Sequence, residues 1–163
     1  MEFAQEFKAA VDSFTAETKT NVTELRYNVE NTLKNAVSEA KEEVEIRVVK
    51  ALHAILEDMI WADGILLGTP ENFGSMSGGL KNFFDRTYYP AREIGINKPY
   101  ALLISCETDG SGTEQQIQTI ATGYVLKKAL DTIIVKETEY NQKIAAIEEL
   151  GQTFAAGLAL GVF

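Results

Sequence analysis

Pro70, Glu71, Asn72, Phe73, Gly74 and Ser75 stand together between an apolar run and a run with helical spacing. Their types suit a flat aromatic ligand. Pro70 fixes the chain path, the Phe73 ring offers apolar contact, and Gly74 lets a backbone approach closely. Ser75 and Ser77 stand at the start of a run with helical spacing, Met76, Leu80, Phe83 and Phe84, so a helix begins nearby with unpaired backbone N–H groups at its start. A second candidate loop is Glu107 to Gly112 (ETDGSG), where Gly110 and Gly112 permit positive φ and close backbone approach. No acid, base or nucleophile constellation accompanies these loops. His53 and Cys106 are the single histidine and the single cysteine, so a disulfide, a Cys or His metal site and a His-dependent triad all lack their residues. No basic residue adjoins Cys106 in sequence, so nothing favours a reactive thiolate. Lys81 and Asp85, an i, i+4 pair, and the adjacent Arg86 read as structural or surface charges.

Strands and helices must hold these loops in place. From Val44 onward they alternate. Strands are expected at Val44–Val49, Gly64–Gly68 (ending at Thr69-Pro70), Tyr100–Ser105 and Thr132–Lys136. Helices are expected over Ala51–Met59, Met76–Thr87, Thr113–Ala129 and Asn141–Leu160. Pro90 and Pro99 mark Tyr88–Lys98 as an irregular connection. Such alternation implies a parallel sheet with helices on its faces. The first 43 residues differ, since the first glycine is Gly64 and no proline precedes Pro70. Phe3, Phe7, Ala10, Val11 and Phe14 form one helical stripe, and Val22, Leu25, Val29, Leu33, Val37 and Ala40 a clearer second.

The 163 residues fit one domain, 1–163, with a sizeable core and an ordinary apolar fraction of 45%. A net charge of −9 argues against nucleic-acid and anionic-membrane partners and fits a cytoplasmic protein. No apolar run is long enough for a membrane span.

The segment GTPENFGSMSGGLKNFFDR, preceded by Ala62-Asp63 and followed by DGSGTE and LGQTFAAGLALG, resembles the flavodoxin-like NAD(P)H:quinone oxidoreductases. The resembling branch includes the tryptophan-repressor-binding protein, and the likeness runs from Val44 to Phe163. It implies a flavodoxin-like three-layer α/β sandwich with a five-stranded parallel sheet, FMN at the strand C-termini, NAD(P)H as co-substrate, a quinone or similar acceptor, and a homo-oligomer. It implies that Pro70, Glu71, Asn72, Phe73, Gly74 and Ser75 line one side of the flavin ring. Thr108, Gly110 and Gly112 border the other. In such chemistry the protein contributes binding, orientation and exclusion of water, and no catalytic side chain is expected.

The family opens with an apolar strand and a glycine-containing phosphate loop. The matching stretch here is Thr15-Ala16-Glu17-Thr18-Lys19-Thr20, where Glu17 and Thr18 replace the usual Thr and Gly. Two readings stay open. A degenerate first strand and loop hold phosphate through Thr15, Thr18, Lys19 and Thr20, or residues 1–43 are a helical pair without a phosphate site. Two functions follow accordingly. One is an FMN-dependent oxidoreductase; the other is a flavodoxin-like module that has lost FMN and serves as a binding or assembly domain.

Overall fold

The computed structural model describes residues 44–163. Both N-terminal helical stripes and the Thr15–Thr20 candidate lie outside these residues. In chain order the elements are α1 (Leu56–Trp61), β1 (Ile65–Asn72), β2 (Ser75–Met76), α2 (Gly78–Glu93), β3 (Pro99–Cys106), α3 (Ser111–Tyr124), β4 (Lys127–Lys128), β5 (Ile133–Lys136), a 3₁₀ turn (Glu137–Glu139) and α4 (Tyr140–Ala159). β3 is central. It pairs in parallel with β1, β4 and β5, and the short β2 folds back antiparallel on β1. None of the described helices is long and apolar enough to cross a membrane.

The apolar run of β3 is covered on both faces, as its sequence requires. Tyr100, Leu102 and Ile104 face one layer with Leu80, Phe83 and Phe84 of α2 and Ile117, Ala121 and Tyr124 of α3. Ala101 and Leu103 face the other layer with Val135 of β5 and Ile147, Leu150 and Phe154 of α4. The alternation follows from the two-residue period of a strand. Tyr124 is 1% exposed. Its hydroxyl is satisfied by donating to the Phe84 carbonyl at 2.6 Å and by pairing with the Thr87 hydroxyl at 2.8 Å. Burial pushes its pKa up to about 12.

Several expected boundaries shift. Val44–Val49 carries no ladder among the described residues; Val48 is nevertheless buried in the α4-side core, with Ile46 packed against it. β1 runs past Pro70 to Asn72, with Pro70 in register with Ser105, because the missing N–H of one proline does not end a strand already held by its neighbour. α2 runs through Pro90 to Glu93. Proline removes only one helical hydrogen bond, and Thr87 and Ala91 on either side of it are buried. α3 stops at Tyr124, because Val125 takes the left-handed conformation at φ 69° and caps the helix. Of Val125 and Leu126, both expected on the buried side of this helix, Val125 is therefore exposed and Leu126 is buried.

Candidate functional site

β1 and β3 end side by side, so the segments that follow them are neighbours. After Asn72 the chain turns in two residues into β2, with Glu71 opposite Met76 and Asn72 opposite Ser75. Phe73 (φ 53°) and Gly74 (φ 72°) form the turn. Positive φ at both central residues matches the twist of a tight hairpin, and glycine adopts it freely. Phenylalanine does so at a cost of about 1–2 kcal/mol. The sequence reading expects a loop here; the structure has a hairpin with Phe73 at its tip, completely exposed. A strained, bulky apolar residue held out in solvent is a feature that packing alone does not produce.

The hairpin is tied to the second loop. The Glu71 carboxylate accepts from the Thr108 hydroxyl at 2.5 Å and from the Thr113 hydroxyl at 3.2 Å. The Ser75 hydroxyl donates to Gln116 Oε1 at 2.7 Å, and Gln116 Nε2 reaches the Gly74 carbonyl at 3.4 Å. A Cβ on Gly112 would lie 2.6 Å from that same carbonyl, so only glycine lets the helix start and the turn meet. Gly110 plays a different part. It starts α3 at φ 70°, where a Cβ would also meet Ile134. Gly110 thus combines positive φ with a close approach, whereas Gly112 is required for close approach alone. Asp109 accepts from the backbone N–H and the hydroxyl of Ser111, which hold its pKa below the usual aspartate range.

Beneath the hairpin, Thr69 is fully buried. Its hydroxyl donates to the Pro70 carbonyl at 3.0 Å and accepts from the Ser77 N–H at 2.9 Å. Ser77 in turn caps α2 by accepting from the Leu80 N–H at 3.2 Å. On the far side of α3, Glu114 accepts from Lys128 (2.9 Å) and Thr132 (2.5 Å), contacts that lower its pKa. Cys106 is buried, and burial followed by the charge of Glu71 pushes its thiol up, in keeping with an inert cysteine.

Of the candidate residues, Pro70, Glu71, Asn72, Phe73, Gly74, Ser75, Thr108, Gly110 and Gly112 converge at the C-terminal ends of β1 and β3. Thr15, Thr18, Lys19 and Thr20 lie outside the described residues. Sequence reasoning overlooked Thr69, Thr113 and Gln116. The lone hydroxyl of Thr69 in an apolar run and the placement of Thr113 and Gln116 one helical turn apart were the available signals. Among the described residues no group of His, Cys, Asp and Glu could hold a metal ion. The site presents an exposed aromatic tip at positive φ, while the Thr108, Thr113 and Ser75 hydroxyls donate within the protein, a set that suits contact with a flat ring rather than acid–base chemistry.

A family model described as NADPH-dependent FMN reductase matches residues 2–140. An NAD(P)H dehydrogenase (quinone) of Acidithiobacillus ferrooxidans is 35% identical over 69 residues, covering 40% of this chain and 34% of that protein. The curated relatives matched are spanned over only 24% and 34% of their own length. A flavodoxin from the domain Archaea superposes with a TM-score of 0.65 at 16% identity, over 87% of this chain and 93% of that one. The Trp repressor binding protein from Bacillus subtilis superposes at 0.56 and 15% identity, over 76% and 88%. The fold is flavodoxin-like.

Proposed function

The chain belongs to the NADPH-dependent FMN reductase family, and from that premise we propose that it is an FMN-dependent oxidoreductase taking electrons from NAD(P)H. The observation that carries the reading is the hairpin tip, where Phe73 is fully exposed at positive φ beside the loop that follows β3. A flat ring laid there gains apolar contact from Phe73 and hydrogen bonds from the surrounding backbone. FMN, when bound, supplies the ring that accepts the hydride of a reduced nicotinamide; the chain binds that ring, orients it and keeps water from it. A quinone or similar small molecule as final acceptor is supported by the quinone-dehydrogenase relative. A homo-oligomer is part of the same proposal, supported by the Phe3, Phe7 and Phe14 row in the sequence.

A second reading, a flavodoxin-like module without FMN that acts in binding or assembly, is favoured by one observation, the absence of glycine before Gly64. Absorbance separates the two. Purified protein that absorbs near about 450 nm, or does so after addition of FMN and desalting, and bleaches with NADH or NADPH without oxygen supports the oxidoreductase. Protein that stays colourless after incubation with FMN and desalting supports the second reading.

A further inference from the structure

We infer that Glu71 is a positioning residue that fixes the Phe73 hairpin against the start of α3 before any ligand arrives. The inference rests on the flavin reading for its consequence, but not for the contact itself. The β1–β2 hairpin has only two residue pairs, Glu71–Met76 and Asn72–Ser75. A ladder that short does not hold itself together in water. Met76, 4% exposed, anchors the returning strand in the core. The tip needs a second anchor, since Phe73 makes no burial of its own there.

Glu71 is placed to supply it. One carboxylate oxygen takes the Thr108 hydroxyl and the other the Thr113 hydroxyl, so a single side chain spans the loop after β3 and the first turn of α3. Thr113 is itself fully buried, so that end of the link is fixed. A single side chain that bonds two elements at once, one of them at a buried hydroxyl, holds the tip at two points. A further tie, Ser75 to Gln116 to the Gly74 carbonyl, lies in solvent. A loop ordered in advance spares the ligand the entropy of ordering it, which appears as affinity.

Two variants of the full chain test the assignment. Glu71→Leu removes both acceptors. Glu71→Gln keeps the span, because its amide oxygen accepts from Thr108 while its NH₂ donates to the Thr113 hydroxyl. Hydrogen exchange at the Ser75 amide of the ligand-free protein reads the hairpin. Riboflavin affinity by fluorescence quenching reads its consequence for a ring that carries no phosphate. For Glu71→Leu the expected result is exchange about tenfold faster and riboflavin binding about tenfold weaker; for Glu71→Gln both stay within about threefold of the parent. Unchanged exchange in Glu71→Leu overturns the inference. So does a loss in Glu71→Gln equal to that in Glu71→Leu, which assigns the effect to charge, or faster exchange with unaltered riboflavin affinity. If the parent chain binds neither riboflavin nor FMN, the flavin reading fails, and the exchange measurement alone decides whether Glu71 holds the hairpin. If Glu71→Leu does not fold, Thr108→Val at an exposed position breaks one arm of the same link. It is then expected to shift both readouts about threefold in the same direction, and no shift overturns the inference.

Discussion

At Gly112 the missing side chain decides whether two loops can touch. The Gly74 carbonyl occupies the space a Cβ would need, and that neighbour is backbone, which cannot rotate away. Gly112→Ala therefore pushes the hairpin off the start of α3 and is expected to cost about 1–3 kcal/mol in urea unfolding while weakening riboflavin binding. Gly78 provides the comparison. Nothing lies within 4 Å of its Cβ position, so Gly78→Ala is expected to leave stability unchanged or raise it, by up to about 1 kcal/mol, through lower unfolded-state entropy. A Gly112→Ala midpoint equal to that of the parent would show that the hairpin yields freely. Composition announced that glycines sit in this loop. Which of them faces a carbonyl became visible only when Gly74 was placed beside it.

At the scale of the element, two of the three basic residues of α2, Arg86 and Lys81, have opposite expected weights. Arg86 Nη2 donates to the carbonyls of Ala51 (3.2 Å), Leu52 (3.4 Å) and Ala54 (3.0 Å), while its Nε donates to Asn82 at 2.8 Å. It thus closes the turn before α1 onto α2. Lys81 pairs with Asp85 at 2.5 Å, but both side chains are more than half exposed. Arg86→Ala is expected to lower stability by about 1–2 kcal/mol, and Lys81→Ala by less than about 0.5 kcal/mol, in denaturant midpoints compared at equal slope. Equal losses would reject the difference in role. Both residues read as structural from sequence, and the i, i+4 spacing of Lys81 and Asp85 was legible there. The carbonyls that Arg86 meets are more than thirty positions away. No local pattern encodes a contact of that range. Pro90 teaches the converse. A local rule read it as a helix end, and burial on both sides of it kept the helix intact.

At the scale of the whole molecule, the proposed ligand site divides between a ring half at the ends of β1 and β3 and a phosphate half assigned to the glycine-free N-terminal segment. A phosphate nest needs several convergent donors on a sharply bent backbone, which glycine normally provides. We therefore expect riboflavin to bind within about tenfold of FMN when both are titrated by fluorescence quenching. A preference for FMN of many hundredfold would establish a competent phosphate site built from Thr15, Thr18, Lys19 and Thr20. What the sequence by itself determined is the class of the molecule and its central frame. The strand and helix periods from Gly64 onward fix a layered α/β sheet, and GTPENFGSMSGGLKNFFDR marks the family, which the match over residues 2–140 bears out. Both are repeated or contiguous signals, so they survive reading in one dimension. The tertiary structure alone decided that Phe73 stands at the tip of a hairpin, that Glu71 joins Thr108 to Thr113, and that Gly112 clears the path of a carbonyl. The last two are contacts between single residues about 40 positions apart. They are set by how far β1 and β3 run before each chain turns away, and no period or local propensity carries that length.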